Sequence, residues 1–344
     1  MDLRSKIWLS LVLPFSVVAY IVVPNFTFES SKKPCVSDEA SSRKSITFLL
    51  GEDKPGYNYF DLAERHFLFD QSEKTDQIVK SCRSLEDMIY YLNNNPNDEK
   101  WSTIQVVLHG NPWNGLSLPI ESDGPRATAK EMLRAVLKNP LPPLKTNAID
   151  SSTNMNFWGC GIGKNPFIQI ALDSMFHQEE GAPNIYCSPH FVIFKEVMNT
   201  APKRIKASYW PFVFKRGYRP STSLIAQEMR NQHPNVDLDW SEVIDESNEL
   251  SQDGLFENSF HIPVSSVVIF PTKDSRPNFE TQEDKLNWVK SQDEIMNKIH
   301  ELEIPFEKFT WTVNKIIHKK KNGENVPAIK AIGMATVLCV MEEV

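Results

Sequence analysis

Short apolar segments alternate with amphipathic segments over residues 45–200. The apolar segments are rich in Ile, Val, Leu and Phe and have the length of buried β-strands. They lie at residues 45–51, 76–81, 103–108, 153–158 and 184–194, of which the second is the weakest. Strands that alternate with helices in this way predict a mostly parallel sheet covered by helices on both faces.

The segments between the strands carry the signals of helices. Residues 57–69 place apolar side chains along one face. Capping residues precede apolar stripes at Ser84, Thr128 and Asn165, and Pro follows the last of these at the first helical position. The helix that begins after Thr128 is expected to bury Met132, Leu133, Val136 and Leu137.

Beyond about residue 200 the pattern becomes rich in strands. Strands are predicted at residues 209–214, 264–270, 309–313 and 335–341. The pair Asn322-Gly323, ahead of the last of them, is typical of a hairpin turn. Residues 201–344 are therefore predicted to be a strand-rich extension, which either completes the first sheet or forms a small second module.

An acidic run lies within this region, at residues 237–257. It holds eight carboxylates and neither Lys nor Arg. A solvated face of a helix and loop is the usual reason for such a run. A pro-segment or an autoinhibitory loop is the alternative. The acids lack the spacing of a calcium-binding loop.

An apolar segment near the N-terminus indicates export. Residues 7–23 are uncharged and largely apolar, and they follow Arg4 and Lys6. The run is longer than the ~7–15 residues of a signal-peptide core and shorter than the ~20 residues of a spanning helix. Residues 1–24 are expected to be a signal peptide or a signal anchor, and residues 25–44 a linker. The protein is thus expected to be secreted or periplasmic, or anchored to a membrane through residues 7–23.

Composition and charge exclude several classes of protein. The 344 residues are 41% hydrophobic and 24% charged, which is ordinary for a folded globular chain. With a formal net charge of −7 the chain is not net-basic, so nucleic acid is not expected as its main partner. The five cysteines are too scattered for a disulfide scaffold and form no CxxC pair for zinc.

Two of the predicted strands end in residues with reactive side chains. The third strand is followed by His109-Gly110, and the fourth ends just before Cys160-Gly161. Functional groups collect beyond the carboxyl ends of parallel strands, and a thiol becomes a nucleophile when an imidazole takes its proton. We therefore predict His109 as the base and Cys160 as the nucleophile. The backbone amides of Gly110, Cys160 and Gly161 are the predicted oxyanion donors.

This arrangement resembles the caspase-like cysteine peptidases. In both, an apolar strand ends in His-Gly, and about fifty residues later an apolar strand and a small residue precede Cys. That clan includes caspases, metacaspases, legumain, gingipains and clostripain. The resemblance covers roughly residues 45–200 and implies a caspase-like α/β/α sandwich with His109 and Cys160 as its catalytic pair. The sequence Trp-Gly-Cys-Gly-Ile-Gly around Cys160 matches neither the caspase nor the metacaspase signature, so the likeness is to the clan and not to a subfamily.

The resemblance also implies where a substrate side chain binds. In clan members that cleave after Arg or Lys, an acid near the end of the first strand lines the specificity pocket. Here Glu52 and Asp53 follow that strand. A surface turn that carries two acids is the alternative interpretation. Ser188 follows the last strand of the region, where the wall of the clan's pocket is found.

The function predicted from the sequence is that of a cysteine-type endopeptidase. His109 and Cys160 hydrolyse a peptide bond through an acyl-enzyme, and cleavage after basic residues is the implied preference. The partner is a protein or peptide substrate, no cofactor or metal is expected, and the sequence does not indicate an oligomeric state. Two alternatives stay open: a catalytically inactive binding module on the same scaffold, and an unrelated α/β hydrolase or transferase in which Cys160 is structural.

Overall fold

The structure, a computed structural model, describes residues 43–343 with gaps at 54, 95–98, 139–140, 146, 178–181 and 251–256. The apolar segment 7–23 and nearly all of the predicted linker 25–44 lie outside the described residues. Within the part of the chain that the structure describes, no helix combines the length and the apolar content needed to cross a bilayer.

Five parallel strands form the first sheet, as the sequence predicts. They are β1 (Ser45–Leu49), β2 (Gln77–Val79), β3 (Thr103–Val107), β6 (Asn154–Trp158) and β7 (Asn184–Cys187). Their order across the sheet is β2-β1-β3-β6-β7. A short hairpin, β4 (Gly110–Asn111) and β5 (Gly115–Leu116), follows β3.

Helices cover both faces of this sheet. α1 (Tyr59–Phe69) packs on one face, and α2 (Leu85–Asn94), α3 (Ala129–Lys138) and α4 (Pro166–Met175) pack on the other. The three predicted capping side chains accept backbone N–H groups: Ser84 from Asp87 at 3.0 Å, Thr128 from Glu131 at 3.2 Å, and Asn165 from Phe167 at 3.0 Å. These elements are therefore a mixed α/β layer arrangement with helices on both sides.

Five antiparallel strands form the second sheet. They are β8 (Phe191–Lys195), β9 (Lys203–Lys215), β10 (Glu257–Ile269), β11 (Thr310–Lys319) and β12 (Asn325–Glu343). The order is β10-β12-β9-β8, and β11 also pairs with β12. Because β12 pairs with β11 along its first half and with β9 along its second half, it is the centre of this sheet.

Four further helices pack on the second sheet. α5 (Thr222–Gln232) and α6 (Trp240–Leu250) cover the face of β9 that carries Phe212 and Phe214. α7 (Gln282–Lys290) and α8 (Asp293–Leu302) pack on the opposite face. The acidic run 237–257 includes α6, so much of it is helical, while its residues 251–256 lie outside the described residues.

The second sheet packs against the edge at which the strands of the first sheet end. Cys160, beyond β6, shares an apolar cluster with Tyr209 of β9, Ile262 of β10 and Val337 of β12. On the α1 face, Val192 of β8 belongs to the same cluster as Trp158. The strand-rich C-terminal region therefore forms a sheet of its own and covers the predicted nucleophile.

Two expectations about local structure are wrong. Residues 184–194, predicted to contain one strand, contribute to two, β7 and β8, which belong to two different sheets. They are separated at Pro189, which has no N–H to donate to a ladder. Leu137, predicted to be buried, is 87% exposed, whereas Met132 is fully buried. Five residues turn a helix by about 500°, so Leu137 lies about 140° away from Met132.

Candidate active site

Strand register brings His109 and Cys160 to the same edge of the first sheet. β3 and β6 are neighbours, and Val107 pairs with Trp158. Each candidate lies two residues beyond its member of that pair. Because side chains alternate along a strand, the two candidates continue the face of Val107 and Trp158, which is the face covered by α1 and β8.

His109 is exposed at this edge, and its ring contacts the first turn of α1. The imidazole stacks on the Tyr59 ring, with centroids 4.8 Å apart and planes at 30°, and meets the Phe60 ring edge-on at 5.0 Å. The Tyr59 hydroxyl donates to the carbonyl oxygen of Trp158 at 3.3 Å. The first turn of α1 therefore contacts the chain beyond β3 through His109 and the end of β6 through Trp158.

Asp53 and Gly51 fix the start of α1. The Asp53 carboxylate accepts the backbone N–H of Phe60 at 3.0 Å and that of Asp61 at 2.9 Å, which caps the helix. The Phe60 ring lies so close to Gly51 that a Cβ there would overlap it. Asp53, predicted to bind a basic substrate side chain, thus uses its oxygens to hold the turn that carries Tyr59 and Phe60.

Cys160 is a buried thiol in this structure. It is 8% exposed, and its Sγ donates to the carbonyl oxygen of Val192 at 3.6 Å. Burial raises the pKa of the Cys160 thiol to about 11. Burial also holds the pKa of Tyr59 well above its ordinary value, and the nearby Cys160 contributes to that rise. The predicted nucleophile is therefore neutral and covered by β8.

Gly161 lies directly under Tyr209. Its φ is 65°, and a Cβ at this position would overlap the Tyr209 hydroxyl, so glycine is required on both counts. The Gly161 N–H donates to the carbonyl oxygen of His190 at 2.9 Å. That amide, predicted as an oxyanion donor, is already engaged within the protein.

The glycines beside the two candidates also have a packing role. A Cβ at Gly110 would lie 2.9 Å from Cγ2 of Ile162, and a Cβ at Gly159 would lie 3.0 Å from Cδ1 of Leu108. The chain segments beyond β3 and β6 therefore pack tightly against each other through these glycines. The sequence analysis gave these glycines no packing role, and the structure shows one.

The two remaining substrate-binding candidates contact other parts of the protein. Glu52 is exposed and pairs with Arg83. Ser188 is fully buried, and its hydroxyl donates to the carbonyl oxygen of His190 at 3.1 Å. Their assignment to a specificity pocket stays a prediction.

A partly buried ionic cluster of His66, Glu73 and Arg204 lies behind the Trp158 ring. The Arg204 guanidinium stacks on that ring at 3.6 Å and donates to the Glu73 carboxylate at 3.0 Å. His66 lies between two acceptors, with Nε2 3.1 Å from Glu73 and Nδ1 2.7 Å from the carbonyl oxygen of Pro202. Sequence reasoning missed this cluster because Glu73 and Arg204 are 131 residues apart and neither belongs to a motif.

A groove of about 640 Å³ lies elsewhere, between α3, α4, β10 and α8. Its apolar lining includes Trp113, Leu133, Leu137, Phe167, Val264 and Leu302. Neither His109 nor Cys160 lines it. The exposed Leu137 therefore contributes to a surface groove that is separate from the predicted pair.

Comparisons with known proteins assign no family to this geometry. No protein-family model, no curated protein and no solved structure matches the chain. Function is therefore inferred from strand register and side-chain contacts.

Proposed function

We propose that the protein is a cysteine-type endopeptidase with a caspase-like arrangement of His109 and Cys160. The observation that supports this most directly is the pairing of Val107 with Trp158, because His109 and Cys160 each lie two residues beyond their member of that pair, on two neighbouring parallel strands. Proton transfer requires a thiol and its base to come within hydrogen-bond reach, and the carboxyl ends of neighbouring parallel strands are where such side chains collect.

The proposed reaction proceeds in two steps. His109 accepts the proton of the Cys160 thiol, the thiolate attacks the scissile carbonyl, and the protonated imidazole returns the proton to the leaving amine. Water, activated by His109, then cleaves the thioester and releases the acid product with a free thiol. The backbone N–H groups of Gly110 and Cys160 are the remaining candidates for oxyanion donors.

The buried thiol sets a condition on this reaction. A thiol with a pKa of about 11 is ionised to only about one part in ten thousand at pH 7, so Cys160 needs a base to react at an enzymatic rate. The thiol also has to leave the Val192 carbonyl and turn toward His109 before the proton is transferred. The proposed enzyme is therefore latent in the conformation described here.

A preference for basic residues is the less direct part of the proposal. Asp53 caps α1 and Glu52 pairs with Arg83, so both acids already have partners. The choice of substrate side chain is therefore left to the experiment below.

The second candidate function is a catalytically inactive binding module on the same scaffold. Two observations favour it: the Cys160 thiol donates to a backbone carbonyl, and the Gly161 N–H that would stabilise an oxyanion is bonded to His190. In that case His109 and Cys160 are packing residues at a strand edge.

Covalent labelling of the Cys160 thiol, which displaces the carboxylate of an acyloxymethyl ketone and forms a thioether, distinguishes the two functions. The full chain, purified in detergent, is treated with peptidyl acyloxymethyl ketones that end in Lys, Asp or Leu, and the modified residue is mapped by mass spectrometry. The peptidase proposal predicts adducts at Cys160 that disappear in His109→Ala. Cys187→Ala, which removes a buried thiol of the neighbouring strand β7, is the matched control and should not change labelling. Absence of any Cys160 adduct would favour the binding module.

A further inference from the structure

The first turn of α1 holds the imidazole of His109 from two sides. Tyr59 stacks on it at 4.8 Å, and Phe60 approaches it edge-on at 5.0 Å. Aromatic rings prefer these two geometries at this range of centroid distances. The exposed ring of His109 therefore has aromatic contacts on two sides, although its backbone lies beyond the end of β3.

Both aromatic side chains are themselves fixed. Phe60 is 5% exposed, and its ring lies against Gly51. Tyr59 is tied through its hydroxyl to the Trp158 carbonyl at 3.3 Å. The Asp53 carboxylate caps the turn that carries both rings.

The contact of Tyr59 with Trp158 connects the two halves of the site. Trp158 is the last residue of β6, two residues before Cys160, and the Tyr59 ring lies on His109. The Tyr59 side chain therefore contacts both His109 and the end of β6, the strand that precedes Cys160. A displacement of Tyr59 would change the position of His109 relative to Cys160.

We propose that Tyr59 and Phe60 are positioning residues that orient His109 toward Cys160. The effect on catalysis rests on the proposed function, whereas the effect on the His109 ring does not. Displacing a catalytic base by about 1 Å can lower the reaction rate ~100-fold. The simpler interpretation is that both residues only fill the core beside Trp158, since Phe60 belongs to that apolar cluster.

Nuclear magnetic resonance of histidine-labelled full chain tests the orientation without reference to activity. The ring-proton signals of His109, assigned by their loss in His109→Gln, are expected to be displaced by the ring currents of Tyr59 and Phe60. In Tyr59→Leu these signals should move toward the chemical shifts of the exposed His300. Tyr59→Phe keeps the ring and should preserve the displacement. Tyr57→Leu, which replaces a nearby tyrosine that is 72% exposed, is the matched control and should change nothing.

Kinetics of peptide cleavage, or of Cys160 labelling where no substrate is known, test the consequence. Tyr59→Leu is expected to lower the rate about 10- to 100-fold, to leave KM unchanged and to alter the pH profile, whereas Tyr57→Leu retains the wild-type values. Phe60→Leu, which keeps an apolar side chain against Gly51, should give a smaller loss.

Each result decides one of the two claims. His109 signals that do not move in Tyr59→Leu would overturn the positioning role, whatever the activity. If the His109 signals move in Tyr59→Leu but the wild-type protein shows no reactivity at Cys160, the orientation of His109 by α1 is retained and the peptidase proposal is overturned. Signals that move while the rate stays unchanged would show that the orientation has no catalytic use and would also overturn the positioning role.

Discussion

At the scale of single residues, the chain directly after Cys160 requires glycine at position 161. Gly161 has φ 65° and lies against the Tyr209 hydroxyl, so both its backbone and its surroundings exclude a side chain. Gly217 also has a positive φ, of 79°, but has open space where a Cβ would be. Substitutions at Gly161 and Gly217 therefore separate the free-energy cost of the backbone conformation from the cost of steric overlap with Tyr209.

Gly161→Ala is expected to destabilise the fold more than Gly217→Ala. The backbone term is about 1–2 kcal/mol in both, and overlap with Tyr209 adds about 1–3 kcal/mol in the first only. Urea unfolding followed by circular dichroism measures the two free energies of unfolding. Adding Tyr209→Phe to Gly161→Ala should recover part of the difference, and equal losses in the two single variants would contradict the contact.

At the scale of elements, side chains at helix starts hold the segments beyond β3 and β6 together. Asn165 caps α4 through Oδ1, and its Nδ2 donates to the carbonyl oxygen of Pro112 at 2.7 Å. Pro112 lies in the turn that follows His109, and α4 follows Cys160. One amide side chain thus joins the two loops that carry the predicted pair.

Asn165→Asp and Asn165→Ala should separate these two contacts. Asn165→Ala loses both and is expected to cost about 1–2 kcal/mol. Asn165→Asp keeps the capping oxygen but places an acceptor against the Pro112 carbonyl, so its cost comes from that contact alone. Thermal unfolding of both variants measures the effect. If Asn165→Ala is less stable than the wild type and Asn165→Asp is as stable as the wild type, only the helix cap contributes to stability.

Helix and strand positions were predictable where one short pattern decides them. The capping boxes at Ser84 and Thr128 and the strand 103–108 are local signals, and the structure confirms those elements. α5, α7 and α8 were not predicted, although the capping box of Thr281 and Asp284 is a local signal for the start of α7. The division of 184–194 between two sheets depends on pairing partners that are distant in sequence, such as Ala207 with Phe191.

At the scale of the whole molecule, the partly buried ionic cluster joins the α1 region of the first sheet to the second sheet. Glu73, which follows α1, accepts from His66 and from Arg204 of β9. Asp70 pairs with Lys203, the first residue of β9. The hydrogen bonds from Lys203 and Ser72 lower the pKa of Asp70. Burial would raise the pKa of Glu73, but the hydrogen bonds from His66 and Arg204 outweigh it and lower that pKa to about 2.

Stability is therefore expected to fall in acid in a way that depends on Glu73. Because its pKa in the folded state lies below the ordinary value, the carboxylate stabilises the fold above about pH 4.5, and this contribution is lost as the pH falls toward 2. Between pH 6 and pH 3 the wild type should lose about 2 kcal/mol more than Glu73→Gln. Glu196→Gln removes an exposed partner of Arg65 and should follow the wild-type curve. Parallel curves for the wild type and Glu73→Gln would contradict the cluster's role.

The placement of His109 and Cys160 at one edge of the first sheet was predictable from the sequence, and most of their surroundings were not. His109 and Cys160 each end an apolar strand beside a glycine, and that local pattern is visible in the sequence. The contact of Tyr59 with His109 and the cover of Cys160 by β8 depend on how α1 and the second sheet fold back on the strand ends. No short pattern encodes those contacts, because the partners come from separate elements.

The most direct test of the proposed function compares two thiols of one chain. Cys82 is buried as Cys160 is, and burial raises the pKa of both to about 11, so they should react alike unless a base activates one. Alkylation of the full chain by iodoacetamide, resolved by mass spectrometry, gives both rates. We expect Cys160 to react at least ~100-fold faster than Cys82, and His109→Ala to abolish that difference. Equal rates in the wild type, or a difference that persists in His109→Ala, would contradict an activated Cys160.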